Sequence, residues 1–144
     1  MIKILLELVG TTECADIQAE IFLDNKILGR YSCSLNPYLL ELSLTNDYAT
    51  HVLRVKMSGK TYQHTVVADD GSIESDASIS ISRLEFEDID MMPIFCQGAT
   101  CYMHNYNDAT RPVELDEFYG YIGCNGTVDI EFETPMYLWF NKHF

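Results

Sequence analysis

Three aspartates near the middle of the chain are the residues best suited to bind a hard cation. Asp69 and Asp70 precede the turn-forming run Gly71–Ser72, and Asp76 follows it. Calcium takes about six to eight oxygen ligands and is often bound by flexible acidic loops, so these carboxylates are the candidate metal ligands. Asp and Gly are also chosen in turns for backbone geometry, and a solvated turn explains the same pattern. Calcium is therefore the one cofactor that the sequence leaves open.

Aromatic side chains form a second group of candidates. Their rings suit the apolar faces of amphipathic ligands such as sugars, and binding residues concentrate in irregular segments. The candidate ligand- or partner-binding residues are Tyr102, His104, Tyr106, Tyr119, Tyr121, Tyr137, Trp139 and Phe140. Core packing is the competing interpretation for the first five. For the three near the C-terminus, the competing interpretation is packing on the domain itself or on a neighbouring subunit.

Motifs of known catalytic machinery do not occur in the sequence. It contains no GxSxG nucleophile motif, no HExxH zinc motif and no glycine-rich phosphate loop. Carboxylate pairs such as Asp116 and Glu117 exist, but pairs are expected by chance among 22 acidic residues. We predict a protein that is not an enzyme.

The charge balance narrows the classes of partner. Nine Lys and Arg against 22 Asp and Glu give a net charge of −13. Phosphate contacts need basic side chains, so no nucleic-acid binding is expected, and an anionic membrane surface would repel the chain. No run approaches the roughly 18 apolar residues of a membrane-spanning helix. The charge fits a soluble protein, a cation-binding protein or a subunit that faces a basic partner.

Five cysteines occur in the chain, an odd number without a CxxC spacing: Cys14, Cys33, Cys96, Cys101 and Cys124. No histidine stands at metal-ligand spacing from a cysteine pair, so the spacing does not predict a zinc site. We expect free thiols in a reducing compartment. A disulfide between Cys96 and Cys101 remains an alternative.

Alternation of apolar and polar residues with a period of two predicts an all-β fold. The predicted strands are Ile2–Val9, Asp16–Leu23, Ile27–Tyr31, Leu39–Leu44, His51–Met57, Tyr62–Val67, Ser78–Asp90 and Thr127–Glu133. The alternation breaks twice within Ser78–Asp90, which indicates a bulge or a short corner. Asp24–Lys26 and Asn125–Gly126 have the composition of hairpin turns.

These patterns predict one domain over residues 1–144, a jelly-roll-like antiparallel β-sandwich with little helix. Residues 135–144 form an aromatic tail that we expect to contain one helical turn and to dock on a partner. The predicted core consists of Ile4, Leu6, Ile21, Leu23, Leu42, Leu53, Val55, Ile79, Ile81, Val128, Ile130 and Phe132.

The chain resembles the small jelly-roll modules that bind xylan in a calcium-dependent manner. The likeness lies in the hairpin Ile21–Gly29, the strand His51–Met57 and the strand that follows an acidic residue in Asp76–Ile81. Those modules hold calcium with Asp and Asn residues after the strand that here ends in Met57, where this chain has Ser58–Lys60. The resemblance implies a shared scaffold without the metal site at that position.

A second resemblance is to short virion-associated proteins of tailed phages. It lies in Ser58–Lys60 with Thr65, in Asp70–Asp76, and in Gly123–Thr127 with Pro135–Trp139. It implies a structural head, neck, tail or fibre component of the virion, assembled in the host cytoplasm. Such a component would act in many copies, as a homo-oligomer or against other virion proteins. The alternative function is that of a carbohydrate-binding module that adheres to glycans, with or without calcium.

Overall fold

The computed structural model describes residues 1–96, 99–105 and 114–143. Its elements, in chain order, are β1 (Ile2–Gly10), β2 (Cys14–Leu23), β3 (Lys26–Cys33), β4 (Tyr38–Leu44), β5 (Thr50–Ser58), a 3-10 helix (Tyr62–His64), β6 (Thr65–Val67), β7 (Ile73–Asp76), β8 (Ile79–Phe86), β9 (Ile89–Asp90), α1 (Met92–Phe95), β10 (Ala99–His104), β11 (Glu114–Phe118), β12 (Tyr121–Ile122), β13 (Gly126–Glu133) and α2 (Met136–His143). No helix in this part of the chain is long and apolar enough to cross a membrane.

The strands form two main sheets and one small excursion. The first sheet has the order β12-β8-β1-β4, with β9 also paired to β8, and the second has the order β11-β10-β13-β5-β2-β3. Strands β6 and β7 pair only with each other among the described residues. The pairings are antiparallel, as in β1 with β4 and β13 with β5. The predicted all-β antiparallel sandwich is confirmed.

The core lies between the two sheets and follows the predicted alternation. Ten of the twelve predicted core residues are buried: Ile4, Leu6, Ile21, Leu53, Val55, Ile79, Ile81, Val128, Ile130 and Phe132. The other two, Leu23 and Leu42, are partly buried and pack against the same cluster. Leu23 ends its strand at a turn, and Leu42 lies on the edge strand β4, so each keeps one side open.

Two predicted strands divide differently. The expected strand Tyr62–Val67 begins as the 3-10 helix, because the Thr61 N–H donates to Nδ1 of His64 at 2.8 Å and closes a turn. Within Ser78–Asp90, the first break is a bulge at Ser82. Arg83 pairs with Glu7 and Ile81 with Leu8, so Ser82 has no partner on β1 in the register. The second break is a tight turn between β8 and β9, where Glu87 and Asp88 have φ of 52° and 63°.

The pair Asn125–Gly126 does not form the predicted hairpin turn. The strand before it, β12, lies in the first sheet and the strand after it, β13, in the second. Asn125 is buried and bonds the Lys60 backbone at both ends of its amide, each at 2.9 Å. A Cβ on residue 126 would overlap the carbonyl oxygen of Met103, so glycine is required there for close strand approach.

Candidate functional site

Two exposed tyrosines mark the place where the chain passes from the edge of one sheet to the edge of the other. Strand β11 is the last strand of the second sheet, and β12 is an edge strand of the first. Tyr119 lies in the connection and Tyr121 begins β12, and they expose 60% and 55% of their surface. We call this surface, with the neighbouring carboxylates of Asp116 and Glu117, the aromatic corner.

Local sequence fixes the backbone of the aromatic corner. Phe118 and Ile122, one residue outside the tyrosines on each side, are fully buried and anchor both ends. Gly120 has a φ of 103°, which lets the chain turn sharply between the two rings. Its carbonyl oxygen accepts a 2.8 Å hydrogen bond from the Ile81 N–H. The rings therefore project from a backbone that the core and the first sheet hold in place.

Carboxylates accompany the two rings. The Tyr119 hydroxyl donates a hydrogen bond to Glu117, and this bond, with the negative charge of Glu117, raises the pKa of Tyr119. Asp116 Oδ2 lies 3.3 Å from Nε2 of His104 on the neighbouring strand. Flat rings beside oriented acceptors are the combination that suits a sugar, which offers an apolar face and hydroxyl donors at its edge.

Tyr102 and His104 lie under the corner rather than on it. Their rings stack with centroids 4.0 Å apart, and Tyr102 is only 4% exposed. The Tyr102 hydroxyl bonds both the N–H and the carbonyl of Cys124. Tyr102 thus adopts the core-packing alternative, and His104 supports Asp116. Tyr106 lies outside the described residues.

The C-terminal candidates separate by their position on α2. Tyr137 is 60% exposed, whereas Trp139 is 3% exposed and stacks on Phe95 at 5.8 Å. Phe140 is half-buried and lies 5.7 Å from the Trp139 ring. Trp139 is thus packed on the domain itself, one of the alternatives that the sequence left open. A docking role for residues 135–144 stays a prediction, and Tyr137 is the candidate that remains exposed for it.

Two of the three candidate metal ligands, Asp70 and Asp76, are held by separate partners. Asp70 accepts hydrogen bonds from the N–H and hydroxyl of Ser72, which lower its pKa and close a turn. Asp76 accepts a 2.6 Å bond from Nζ of Lys60 and a 2.7 Å bond from Thr65. Among the described side chains, Asp69, Asp70 and Asp76 do not belong to any group of three with converging ligand atoms. Their geometry is that of a turn and an ion pair.

A buried histidine, which the sequence did not single out, bridges two other aspartates. Nδ1 of His51 lies 2.6 Å from Asp24, and Nε2 lies 2.9 Å from Asp47. Burial lowers the pKa of His51, but the two carboxylates more than offset it, so the net shift is upward. The hydroxyl of Thr134 donates to Asp47 and, with His51, lowers the pKa of that carboxyl. This network joins three loops at one end of the sandwich.

Comparison with solved structures finds two matches of the same fold. One is vCBM60 in complex with galactobiose, with a TM-score of 0.51 and 9% identity over 88% of this chain and 95% of that one. The other is the selenomethionine form of vCBM60, reported with two families of calcium-dependent carbohydrate-binding modules. It has a TM-score of 0.53 and 8% identity over 90% of this chain and 89% of that one. No family model and no curated protein matches the sequence.

These matches show that the chain has the β-sandwich fold of carbohydrate-binding modules. They agree with the scaffold expected from the xylan-binding resemblance. The similarity to tailed-phage virion proteins finds no support in them.

Calcium requires a separate test against this chain's own residues. A calcium site is built from oxygen ligands that converge on one point. Within residues 1–96, 99–105 and 114–143, the one converging group of three ionisable side chains contains a thiol and an imidazole, Cys14, Asp16 and His64. Among the described residues, no three carboxylates place one oxygen each within 4.8 Å of one another.

Proposed function

We propose that this chain is a non-catalytic glycan-binding module that uses the aromatic corner as its binding surface. The observation that carries the proposal is the rigid presentation of Tyr119 and Tyr121 at an open edge of this sandwich. Tyr48 and Tyr62 are more exposed singly, but Tyr119 and Tyr121 flank one held glycine and together offer two rings for an amphipathic ligand. The fold supports the proposal, because both matched structures are carbohydrate-binding modules.

The corner explains how a sugar would bind. The apolar face of the sugar packs on the ring of Tyr119 or Tyr121. The hydroxyl groups of the sugar donate hydrogen bonds to the carboxylates of Glu117 and Asp116. The backbone that carries these residues is already held in place, so little ordering entropy is lost on binding. A small exposed surface of this kind gives weak affinity per site. Useful adhesion then comes from several copies or several sugar repeats.

Binding should not require calcium in this chain. Two of the three acidic residues expected as ligands already accept hydrogen bonds, Asp70 from Ser72 and Asp76 from Lys60 and Thr65. We therefore expect the same glycan affinity with a calcium chelator as with added calcium.

The test is calorimetric titration of the full chain with galactobiose and with a xylan oligosaccharide. Galactobiose is chosen because one matched structure binds it. Tyr119→Ala and Tyr121→Ala should each weaken binding by about tenfold, since loss of a stacking ring removes roughly 1.4 kcal/mol. Tyr137→Ala is the matched control, because Tyr137 has the same 60% exposure but lies on α2. It should bind as the wild type does.

The opposite pattern would reject the proposal. If neither sugar binds, and a broad panel of neutral glycans gives no signal with or without calcium, the corner is not a glycan site. If Tyr137→Ala alone abolishes binding, the binding surface lies on α2 instead. Incorporation of the chain into phage particles, assayed by mass spectrometry, would in turn support the structural role in the virion.

A further inference from the structure

Three side chains of metal-ligand type meet at the start of β2. Cys14 and Asp16 stand two residues apart on that strand, and His64 ends the 3-10 helix. One ligand atom from each lies within 4.8 Å of the other two. Nε2 of His64 is 4.0 Å from Asp16 Oδ2. His64 lies 50 positions after Cys14 and 48 after Asp16, so the grouping exists only in the folded chain.

The backbone brings His64 to this position by close approach. Gly59 has a φ of 89°, and a Cβ there would overlap the carbonyl oxygen of Asp16. Only glycine lets the segment after β5 pass directly against β2. Lys60, the next residue, is held by the Asn125 amide and by a 2.6 Å ion pair with Asp76. Contacts outside the group therefore fix the approach of the helix that carries His64.

The donor atoms indicate which cation would bind. A thiolate, an imidazole and a carboxylate suit a borderline divalent cation, whereas calcium takes oxygen ligands. Zinc bonds of about 2.0–2.3 Å in a tetrahedron place the ligand atoms roughly 3.3–3.7 Å apart. The 4.0 Å between His64 Nε2 and Asp16 Oδ2 is only slightly longer, and all three ligand atoms lie within 4.8 Å of one another. The Asp16 side chain is 87% exposed and can make this adjustment by rotation.

His64 changes one hydrogen bond when it binds a cation. Its Nδ1 accepts from the Thr61 N–H at 2.8 Å, which places the proton of the neutral ring on Nε2. Coordination through Nε2 moves that proton to Nδ1 and breaks the bond to Thr61. The Thr61 N–H lies in an exposed hydrogen bond, so water replaces the lost acceptor at little cost.

We propose that Cys14, Asp16 and His64 form a site for zinc or a similar borderline divalent cation, with water in the fourth position. The site does not rest on the proposed glycan function. Its three protein ligands and open coordination position are those of an exposed, exchangeable zinc site. Zinc bound there would tie the 3-10 helix and the β6–β7 excursion to the second sheet.

The test uses Co²⁺ as a spectroscopic probe and Zn²⁺ as its competitor on the full chain, kept reduced by a phosphine. The expected result is one Co²⁺ per chain, with a thiolate-to-cobalt charge-transfer band that Zn²⁺ removes. Cys14→Ser should abolish the band, and His64→Gln should weaken metal binding by about tenfold or more. Cys124→Ser is the control, because that thiol is also partly exposed but lies outside the group. It should keep the band.

Either of two results would overturn the site. One is the absence of a charge-transfer band in the wild type, and the other is a band that survives in Cys14→Ser. His64→Gln keeps the test valid if Cys14→Ser fails to fold, because His64 lies in a short helix with no buried residues. Unchanged metal affinity in that variant would equally reject the proposal.

Discussion

His51 is held between two carboxylates in a way that makes the fold sensitive to pH. The imidazolium form donates from both nitrogens, to Asp24 and to Asp47, whereas the neutral form can donate from only one. The titratable groups that face the ring from the neighbouring loops are these two aspartates. On the adjacent strand β13, the Phe132 ring packs 5.6 Å from it. The charged ring is therefore the form that fits the folded chain.

The raised pKa of His51 predicts a loss of stability on the alkaline side. Its contribution to the free energy of unfolding is fully present below the ordinary pKa of 6.5 and declines as the pH rises through the higher folded value. The lowered pKa of Asp47 acts in the opposite direction. Its contribution is present above the ordinary 3.8 and is lost as the pH falls through the folded value. The network is thus strongest in weak acid.

The measurement is urea unfolding of the wild type and His51→Gln across this range. The difference in free energy of unfolding should be largest near pH 5–6 and should shrink as the pH rises above the His51 pKa. Glutamine keeps one donor and one acceptor but does not titrate. A difference that stays constant up to about pH 9 would contradict the assignment of charge to His51.

Two glycines allow the stability cost of a steric collision to be measured separately from the cost of a positive φ. Gly59 and Gly71 have nearly the same φ, 89° and 88°, but only Gly59 has backbone in the space of a Cβ. Alanine at either position is strained by about 1–3 kcal/mol. We expect Gly59→Ala to be destabilised by at least about 1 kcal/mol more than Gly71→Ala, because it also collides with Asp16. If both variants lose the same stability in thermal unfolding, residue 59 does not lie in tight contact with Asp16.

Strands were predictable from local sequence, and side-chain partners were not. In β1, β5 and β13, apolar residues alternate with polar ones because one face of each strand is buried. This pattern can be seen in the sequence alone. The pair Asn125–Gly126 has the composition of a hairpin turn, but its partners are distant in sequence: Lys60 follows β5 and Met103 lies on β10. Nothing in the local pattern distinguishes a turn from such a cross-link.

The candidate site shows the same division between local and long-range information. Composition was enough to select Tyr119 and Tyr121, but not to separate them from the buried Tyr102. Tyr102 lies on β10, between two strands of the second sheet, whereas Tyr119 and Tyr121 lie where the chain crosses between sheet edges. The group of Cys14, Asp16 and His64 depends on the approach at Gly59 and could not be found from spacing.

At the scale of elements, α2 packs on the core of the sandwich through two buried residues, Met136 and Trp139. Trp139 lies 6.1 Å from Phe86 of β8 and 5.8 Å from Phe95 of α1, so it joins three elements. Trp139→Ala should lower the free energy of unfolding by about 3–5 kcal/mol, since it removes a large buried ring. Tyr137→Ala on the same helix should change it by no more than about 0.5 kcal/mol.

Chemical denaturation of both variants checks this account of α2. If Trp139→Ala is as stable as the wild type, the helix is not part of the core. The result would then favour a free tail that docks on a partner, as the sequence predicted for residues 135–144.

At the scale of the whole molecule, the net charge of −13 should favour binding of neutral glycans over anionic ones. The aromatic corner adds its own carboxylates, Asp116 and Glu117, to that field. An anionic polysaccharide should therefore bind more weakly than a neutral one with similar sugar rings, and added salt should reduce the difference. Affinity electrophoresis in gels containing a neutral galactan or a polygalacturonate measures this directly. Stronger retardation by the anionic polymer would point to a basic surface elsewhere on the chain.

The most direct test of the central claim maps the glycan contact by nuclear magnetic resonance. Galactobiose is titrated into the isotope-labelled chain, and amide shifts are followed residue by residue. The account predicts shifts concentrated between Glu117 and Ile122, with neighbouring changes at Ser80 and Ile81 of β8, which pair with that segment. Shifts confined to α2, or to the cleft lined by Asp24, Arg54 and Asp129, would contradict the aromatic corner as the binding surface. No shifts at millimolar galactobiose, nor with xylan oligosaccharides, would contradict the glycan function itself.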